Sequence, residues 1–204
     1  MKIFGDNDPD NDLPIKDILE QMSDNKLFNK KFLEQRKIFL WGAVMDESAR
    51  DIVNRLLYLD ADKPGEEIKF YINSPGGMVT AGMVIYDVMN MISSPVSTIC
   101  MGHAASMGSI ILSAGAKGSR YIFPTAEVMI HQPSIGGYFQ STAVEIEIEA
   151  KQIMKIKKLS AEILAKNCGQ SYEKIMKDFD RDYWMNANEA VAYGIVDKVI
   201  DKII

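Results

Sequence analysis

Residues 68–92 read IKFYINSPGGMVTAGMVIYDVMNMI, and three patterns follow one another in this stretch. Ile68–Asn73 is a short run of apolar, β-branched and aromatic residues, which is typical of a buried strand. Ser74-Pro75-Gly76-Gly77 ends that run, because proline and paired glycines favour a turn. Val79–Ile92 has a helix-like pattern of apolar residues. The stretch therefore predicts one strand-turn-helix unit.

The same kind of unit occurs on both sides of this stretch. Successive strand-helix units predict a parallel sheet, because parallel strands need a long connection that is usually a helix. We therefore predict an α/β fold with helices packed on a parallel sheet. The other predicted elements are the strand Lys37–Trp41, the helix Glu47–Leu59, the strand Val96–Met101, a turn over Gly102–Ser109, the helix Ile110–Ala116 and the strands Tyr121–Phe123 and Val196–Ile200.

Length and composition indicate an ordinary globular chain. Of its 204 residues, 47% are hydrophobic and 25% are charged, which excludes a disordered or fibrous protein. The 23 basic and 28 acidic residues give a net charge of −5, so no strong positive field attracts phosphates and nucleic acid is not expected as a partner. The most apolar stretch, Val96–Ala116, is interrupted by His103 and predicts a buried core segment instead of a membrane span.

The cysteines and the N-terminal residues bear on the location of the protein. Cys100 and Cys168 are the only two cysteines, and their wide separation predicts free thiols in a reducing compartment. The first residues contain no apolar signal segment. We therefore expect a cytoplasmic protein.

A long helix is predicted in the second half of the chain. Ser134–Gln140 is glycine-interrupted and extended, whereas Ser141–Lys166 has a helical pattern that closes with the C-cap signal Asn167-Cys168-Gly169. About seven turns is long for a helix within one domain. We therefore predict that this helix offers a surface for packing against another copy of the chain.

Ser106 is a candidate nucleophile within GHAASMGS, residues 102–109. Free N–H groups and the positive end of the dipole at a helix start favour developing negative charge. The small neighbours allow a substrate to approach, although the spacing differs from the Gly-x-Ser-x-Gly elbow of α/β-hydrolases. A plain helix N-cap explains the same serine, so the motif alone leaves both interpretations open.

The glycine pair in Ser74-Pro75-Gly76-Gly77 is a candidate oxyanion hole. Glycine frees the backbone to turn an N–H group into a cleft at dihedral angles that are closed to other residues. Such donors stabilise a tetrahedral oxygen, and losing one elsewhere costs about 10²–10³ in rate. A plain turn after a strand explains the pair equally well.

His131 is the candidate general base. It ends an apolar strand and precedes Gln132-Pro133, which restricts the direction of the backbone. A histidine base needs a carboxylate that holds its tautomer. The candidates are Asp178, Asp180 and Asp182, among which spacing does not choose, although Asp182 abuts an apolar segment. A structural histidine and a solvated charge run are the alternative interpretations.

Metal catalysis is not expected, because only His103 and His131 are available as imidazole ligands. Cys100 and His103 are three residues apart, but no second closely spaced ligand pair follows them. We interpret both as packed core residues. A cysteine nucleophile with a histidine base remains open at this point.

Four motifs occur in order along the chain: Tyr71–Gly77, Gly102–Ser109, Met129–Pro133 and Asp180–Asp182. Together they strongly resemble the proteolytic subunits of the Clp protease family, over about residues 37–199. The resemblance implies a serine endopeptidase that degrades unfolded proteins to short peptides. It assigns the nucleophile to Ser106, the general base to His131, the orienting acid to Asp182 and the oxyanion hole to the N–H groups of Gly77 and Met107.

The resemblance also implies an architecture. The fold is expected to be crotonase-like, with stacked βαβ units and a projecting handle of one strand and one long helix. Substrate is expected to add as a strand beside the handle, and the substrate-strand residues are Ile135, Gly136, Gly137, Tyr138 and Phe139. The implied regions are an N-terminal arm and helix at 1–36, a head at 37–133 and 168–204, and the handle at 134–167.

The family further implies partners. Seven-membered rings, built from one chain or mixed with a second paralogue, stack as a tetradecamer, and an AAA+ unfoldase such as ClpX, ClpA or ClpC feeds the chamber. The unfoldase uses ATP, so no cofactor is expected for this chain. Asp180 and Arg181 resemble the inter-ring sensor, and Leu57 and Tyr71 match the docking groove.

Several residues depart from the family pattern. Lys69 stands where an aromatic residue is common, and His103 is atypical so close to Ser106. Lys69, together with Pro64-Gly65, Asp182–Met185 and Ala187–Ala190, resembles the pattern of the variant subunit that some bacteria make beside a second paralogue. Two alternatives therefore accompany the leading interpretation: a non-catalytic or weakly active ring subunit, and a crotonase-type acyl-CoA hydratase or isomerase.

Overall fold

The computed structural model describes residues 26–134 and 142–204. The chain divides into two compact units, one ending at Gln35 and the other comprising Arg36–Ile204. In the first unit, residues 26–34 are helical (α1). The second unit carries all the candidate site residues that the structure describes.

The second unit alternates strands and helices along most of its length. Its strands are β1 (Lys37–Trp41), β2 (Ile68–Ser74), β3 (Val96–Ala105), β4 (Arg120–Ile122), β5 (Glu127–Ile130), β6 (Tyr183–Asn186) and β7 (Lys198–Val199). Its helices are α2 (Asp46–Asp62), α3 (Val79–Met91), α4 (Met107–Ser113), α5 (Ala143–Cys168), α6 (Tyr172–Asp178) and α7 (Ala187–Tyr193).

The strands form one mainly parallel sheet within the described part of the chain. Its order is β1-β2-β3-β4-β7, and all neighbours in this row are parallel. β5 branches from the distal end of β3 in parallel register, and β6 pairs antiparallel with β5. The predicted α/β fold with a parallel sheet is confirmed, with β6 as an antiparallel addition.

The predicted boundaries after Cys100 are wrong. The strand continues through Ala105 and α4 begins at Met107, whereas the sequence predicted a turn over Gly102–Ser109 and a helix over Ile110–Ala116. Gly102 adopts a φ of 75°, which bends the strand without ending it. The bent portion keeps a partner because β5 pairs with its last three residues, and this long-range pairing is invisible in the local pattern.

The core lies between the sheet and the helices that cover it. The helix α2 turns Ala49, Ile52, Leu56 and Leu59 inward, which is the spacing of one helical face. Most side chains of β2 are buried, as expected for a strand covered on both faces. This rigid packing supports the ends of β3 and β5, where the site lies.

The long helix α5 begins and ends with strong capping interactions. The Thr142 side chain accepts a hydrogen bond from the Glu145 N–H, and Glu145 binds back to Thr142 in a capping box. Gly169 ends the helix in the left-handed conformation. The helix is thus confirmed, displaced by two residues from the predicted Ser141–Lys166. The predicted substrate strand at 135–139 lies outside the described residues.

The two halves of α5 have different surroundings. The C-terminal half buries Ala161, Ile163 and Leu164 against the rest of the unit. The N-terminal half exposes several large apolar side chains, among them Val144, Ile146, Ile148 and Met154. None of the described helices combines the length and the apolar character that a bilayer span requires.

Candidate active site

Ser106 lies at the junction of β3 and α4 in an unusual backbone conformation. Its φ of 54° and ψ of −122° belong to a region that favours glycine and costs other residues about 1–3 kcal/mol. Its N–H donates to the Met129 carbonyl at 2.9 Å, which fixes the turn to β5. Ser106 is the N-cap residue of α4 by position, but its side chain makes no capping hydrogen bond to the helix, so capping does not account for the hydroxyl.

The pairing of β5 with β3 brings His131 to Ser106. Ala105 is opposite Met129 in the parallel register, so the residues that follow these two strands approach each other. The His131 Nε2 atom lies 2.8 Å from the Ser106 Oγ atom. This distance is that of a hydrogen bond between a hydroxyl and an imidazole nitrogen.

The antiparallel strand β6 brings the third side chain. Ile130 is opposite Tyr183, so Asp182, which precedes β6, faces His131, which follows β5. The Asp182 Oδ1 atom lies 3.0 Å from the His131 Nδ1 atom. Although this contact is close, the Asp182 side chain is 62% exposed.

The other two candidate carboxylates are engaged elsewhere. Asp178 accepts hydrogen bonds from Lys174 and, at 2.9 Å, from the Tyr193 hydroxyl. Asp180 accepts from the Gln132 side chain and lies 3.9 Å from the Lys157 Nζ atom. Among the three acids that spacing left open, only Asp182 contacts the imidazole.

The two contacts of His131 specify how its ring is used. A carboxylate accepts hydrogen bonds, so Nδ1 carries the proton that faces Asp182. Nε2 is then the acceptor for the Ser106 hydroxyl proton. The arrangement can remove a proton from the serine and hold the resulting imidazolium beside a negative charge.

Gly76 packs directly against the Ser106 turn, and Gly77 packs against Val44 in the segment between β1 and α2. A Cβ atom on Gly76, whose φ is 90°, would lie 2.7 Å from the Ala105 carbonyl oxygen and from the Ser106 Cβ atom. A Cβ atom on Gly77 would lie 2.3 Å from the Val44 carbonyl oxygen. Both approaches exclude any side chain, which explains the glycine pair physically.

Near these glycines, two backbone N–H groups have no acceptor among residues 26–134 and 142–204. The Val44 N–H donates to the Gly76 carbonyl, and the Val44 carbonyl accepts from the Met78 N–H, both at 2.8 Å. These two hydrogen bonds involve the residues on either side of Gly77 and do not use the Gly77 N–H. Within the described residues, the N–H groups of Gly77 and Met107 have no acceptor. Because Gly76 packs against Ser106 and Met107, these two donors belong to neighbouring backbone segments at the serine.

The cysteine alternative does not fit the structure. Burial raises the pKa of the Cys100 thiol to about 12, which suppresses the thiolate that a nucleophile requires. Its sulfur is directed at the Glu127 carbonyl. His103 lies beside Glu127 in the pairing of β3 with β5, and it does not join the contacts of Ser106.

The residues predicted for assembly and docking have mixed exposure. Arg181 and Leu57 are exposed. Tyr71 is only 3% exposed, its ring stacks on Phe39 at a centroid distance of 5.1 Å, and its hydroxyl donates to the Ile204 carbonyl. In this conformation the Tyr71 side chain therefore presents little surface to a partner.

Sequence reasoning assigned no role to Gln132 or Lys157. Gln132 follows His131 and binds the backbone that precedes Asp182, and Lys157 of α5 binds Gln132. The adjacency of Gln132 to His131 was the only available signal in the sequence. No periodicity connects it with a helix position 25 residues away.

Comparison with known protein families gives a match along the chain. A family model described as Clp protease matches residues 20–203. The match includes Ser106, His131 and Asp182, and it extends over nearly the whole chain.

Proposed function

Because the chain belongs to the Clp protease family, we propose that it is a serine endopeptidase that cleaves unfolded polypeptides through an acyl-enzyme on Ser106. The observation that carries the proposal is the continuous hydrogen-bonded series from Ser106 Oγ through His131 to Asp182, with distances of 2.8 Å and 3.0 Å. A nucleophile, a base and an orienting acid at these distances are sufficient for acyl transfer.

Acylation begins when His131 Nε2 takes the Ser106 hydroxyl proton as the oxygen attacks the peptide carbonyl carbon. The carbonyl oxygen becomes negative, and the N–H groups of Gly77 and Met107 stabilise it. Asp182 stabilises the imidazolium that forms. His131 then gives its proton to the leaving amine, and the peptide bond breaks.

Deacylation repeats these steps with water. His131 Nε2 accepts a proton from the water as its oxygen attacks the ester carbonyl, and the same donors hold the second oxyanion. The proton returns to the Ser106 oxygen, which releases the second peptide product. No cofactor takes part in either half of the reaction.

We further propose that the chain works in stacked seven-membered rings, of one chain or mixed with a paralogue. The exposed apolar side chains of Val144, Ile146 and Ile148 on α5 support this, because such surfaces on one element favour burial against another copy. A Clp-type AAA+ unfoldase supplies unfolded substrate in this proposal. The exposed Leu57 side chain supports a docking surface on the head.

A fluorophosphonate probe tests the serine mechanism on the purified full-length chain. We expect one adduct on Ser106 and loss of both the adduct and peptide hydrolysis in Ser106→Ala. Ser119→Ala is a matched control, because this serine lies outside the site and its hydroxyl makes no hydrogen bond within the described residues.

Sedimentation of the same sample separates the remaining outcomes. Activity and an adduct in a double ring of one chain support the homomeric form, whereas an inactive chain that a paralogue activates supports mixed rings. An assembled double ring that lacks an adduct, or a Ser106→Ala particle that still degrades protein, would contradict the proposal.

A further inference from the structure

The position of Asp182 depends on the turn that carries it. Its side chain is mostly exposed, and its one hydrogen bond among the described residues is the contact with His131. An exposed carboxylate that makes a single hydrogen bond does not fix its own backbone. The pairing of Tyr183 with Ile130 holds the backbone on one side of Asp182, and the contacts of the preceding residues hold it on the other.

Gln132 holds this turn from the histidine side. Its backbone N–H donates to the Phe179 carbonyl at 2.6 Å, and its side-chain Nε2 donates to the Asp180 carbonyl at 2.7 Å. Nε2 also lies 3.2 Å from the Asp180 carboxylate. Gln132, next to His131, thus forms hydrogen bonds with two consecutive residues of the turn that carries Asp182.

Lys157 orients the Gln132 amide. The Lys157 Nζ atom donates to the Gln132 Oε1 atom at 2.7 Å. An ammonium can only donate, so it requires the oxygen end of the amide and directs the NH₂ end towards Asp180. The same ammonium lies 3.9 Å from the Asp180 Oδ1 atom and 5.8 Å from the centre of the Phe179 ring.

The burial of Lys157 separates it from the other lysines of α5. Its side chain is 16% exposed, whereas the remaining lysines of this helix are exposed. Withdrawing an ammonium from water is unfavourable unless other groups replace the solvent. At Lys157 the replacements are an amide oxygen, a carboxylate and an aromatic face, all from the two segments that meet at the triad.

We propose that Lys157 is a positioning residue for the acid of the triad, acting through Gln132 on the turn that carries Asp182. This inference rests on the proposed serine mechanism. Since Lys157 belongs to α5, it also links the placement of this helix to the distance between Asp182 and His131. A displacement of catalytic groups by about 1 Å can lower a rate about 100-fold.

Lys157→Met tests the proposal because it removes the ammonium and keeps most of the apolar stem. On a short fluorogenic peptide we expect kcat to fall about 10- to 100-fold, with KM changed less than about twofold because no substrate contact is lost. Lys157→Arg should recover most of kcat, since guanidinium also donates to an amide oxygen. Lys158→Met is the matched control, because Lys158 is exposed and Glu162 is its one ion-pair partner in the described part of the chain.

A double-mutant cycle identifies the route of the effect. In an Asp182→Asn background, Lys157→Met should cause no further loss, because the group that it positions is already impaired. Losses that multiply, or a Lys157→Met enzyme with full kcat, would overturn the inference. Gln132→Met provides a second variant if Lys157→Met does not assemble, and full kcat in that variant overturns the inference equally.

Fluorophosphonate labelling of the unmodified chain keeps this result separate from the proposed function. If the unmodified double ring is not labelled, the serine mechanism itself is wrong. If it is labelled, and Lys157→Met is labelled at the same rate, only the positioning role is wrong.

Discussion

Two charged contacts in this molecule are built in opposite ways. Arg120 and Asp197 form an ion pair in which the arginine side chain is 3% exposed, whereas His131 and Asp182 meet at the surface. Asp197 accepts from the N–H groups of Gly118 and Arg120 at 2.8 Å and 3.0 Å, as well as from the guanidinium. Asp182 has its imidazole partner alone among the described residues.

The difference is visible in the electrostatics of Asp197. Burial by itself raises the pKa of this carboxyl, but hydrogen bonds from Arg120, backbone N–H groups and the guanidinium charge together lower it below the usual range. The ion pair ties β4 to the segment before β7 through several redundant bonds. Its role is to fix the fold.

The contact of His131 with Asp182 is a single hydrogen bond among the described residues. A single, accessible contact is compatible with proton transfer at the imidazole. In the proposed mechanism the imidazole gains and loses a proton in each half-reaction, and substrate and water reach Ser106. Among the described residues, no backbone N–H group donates to the Asp182 carboxylate. The geometry of the site therefore depends on neighbours such as Gln132, which lie behind the reacting atoms.

Replacing the exposed acid should have the largest effect on catalysis and almost none on folding. For Asp182→Asn we expect kcat to fall about 10⁴-fold, because the amide no longer holds the reactive tautomer of His131. The free energy of unfolding should change by less than about 0.5 kcal/mol, since the side chain is exposed. Peptide hydrolysis and chemical denaturation of the same particle measure both effects. If Asp182→Asn lost as much stability as breaking a buried ion pair does, the difference proposed between the two contacts would be contradicted.

Replacing Asp197, the acid that pairs with the buried Arg120, should have the reverse pattern. Asp197→Asn leaves the Arg120 guanidinium without its counter-charge, and breaking such a pair costs about 3–5 kcal/mol in the free energy of unfolding. The folded enzyme should keep its kcat, because Asp197 makes no contact with the triad. Denaturation curves and kinetics on the folded fraction provide the measurement.

The pH dependence of stability sharpens this prediction. The folded-state pKa of Asp197 is lowered, so its contribution is fully present above the unfolded pKa of about 3.9. The contribution is lost as the pH falls through the folded value. The stability difference between the unmodified chain and Asp197→Asn should therefore be constant near neutral pH and shrink below about pH 4. A difference that grows on acidification would contradict the sign.

The sequence predicts the strands and helices better than it predicts the contacts that position the site residues. Strands such as β2 follow directly from apolar runs, because a strand covered on both faces needs no partner information to be recognised. The three triad side chains can be named from their motifs, but the choice of Asp182 among three acids depends on the register of β5 with β6. The Lys157 link depends on helix placement, which no local pattern contains.

Gly76 offers a test of whether close packing around Ser106 matters for catalysis, because it is buried and contacts this serine. Gly76→Ala would place a Cβ atom 2.7 Å from Ser106 Cβ and the Ala105 carbonyl, so the turn and its N–H donors must shift. We expect kcat to fall about 100-fold or more. Gly118→Ala is the matched control: its φ is also positive, at 84°, but a Cβ atom there meets nothing within 4 Å. Equal losses in both variants would show that backbone strain, and not approach to Ser106, causes the effect.

The smallest expected effect concerns the conformation of the nucleophile itself. At a φ of 54° and ψ of −122°, alanine bears the same steric strain as serine, whereas glycine does not. Both Ser106→Ala and Ser106→Gly lack the hydroxyl and should be inactive, so their comparison isolates the backbone. We expect Ser106→Gly to be more stable than Ser106→Ala by about 1 kcal/mol, the strain relieved being partly offset by the greater chain entropy of unfolded glycine. Chemical denaturation at a fixed protein concentration measures this difference, and greater stability of Ser106→Ala would show that the strain in the turn is smaller than the entropy cost of glycine.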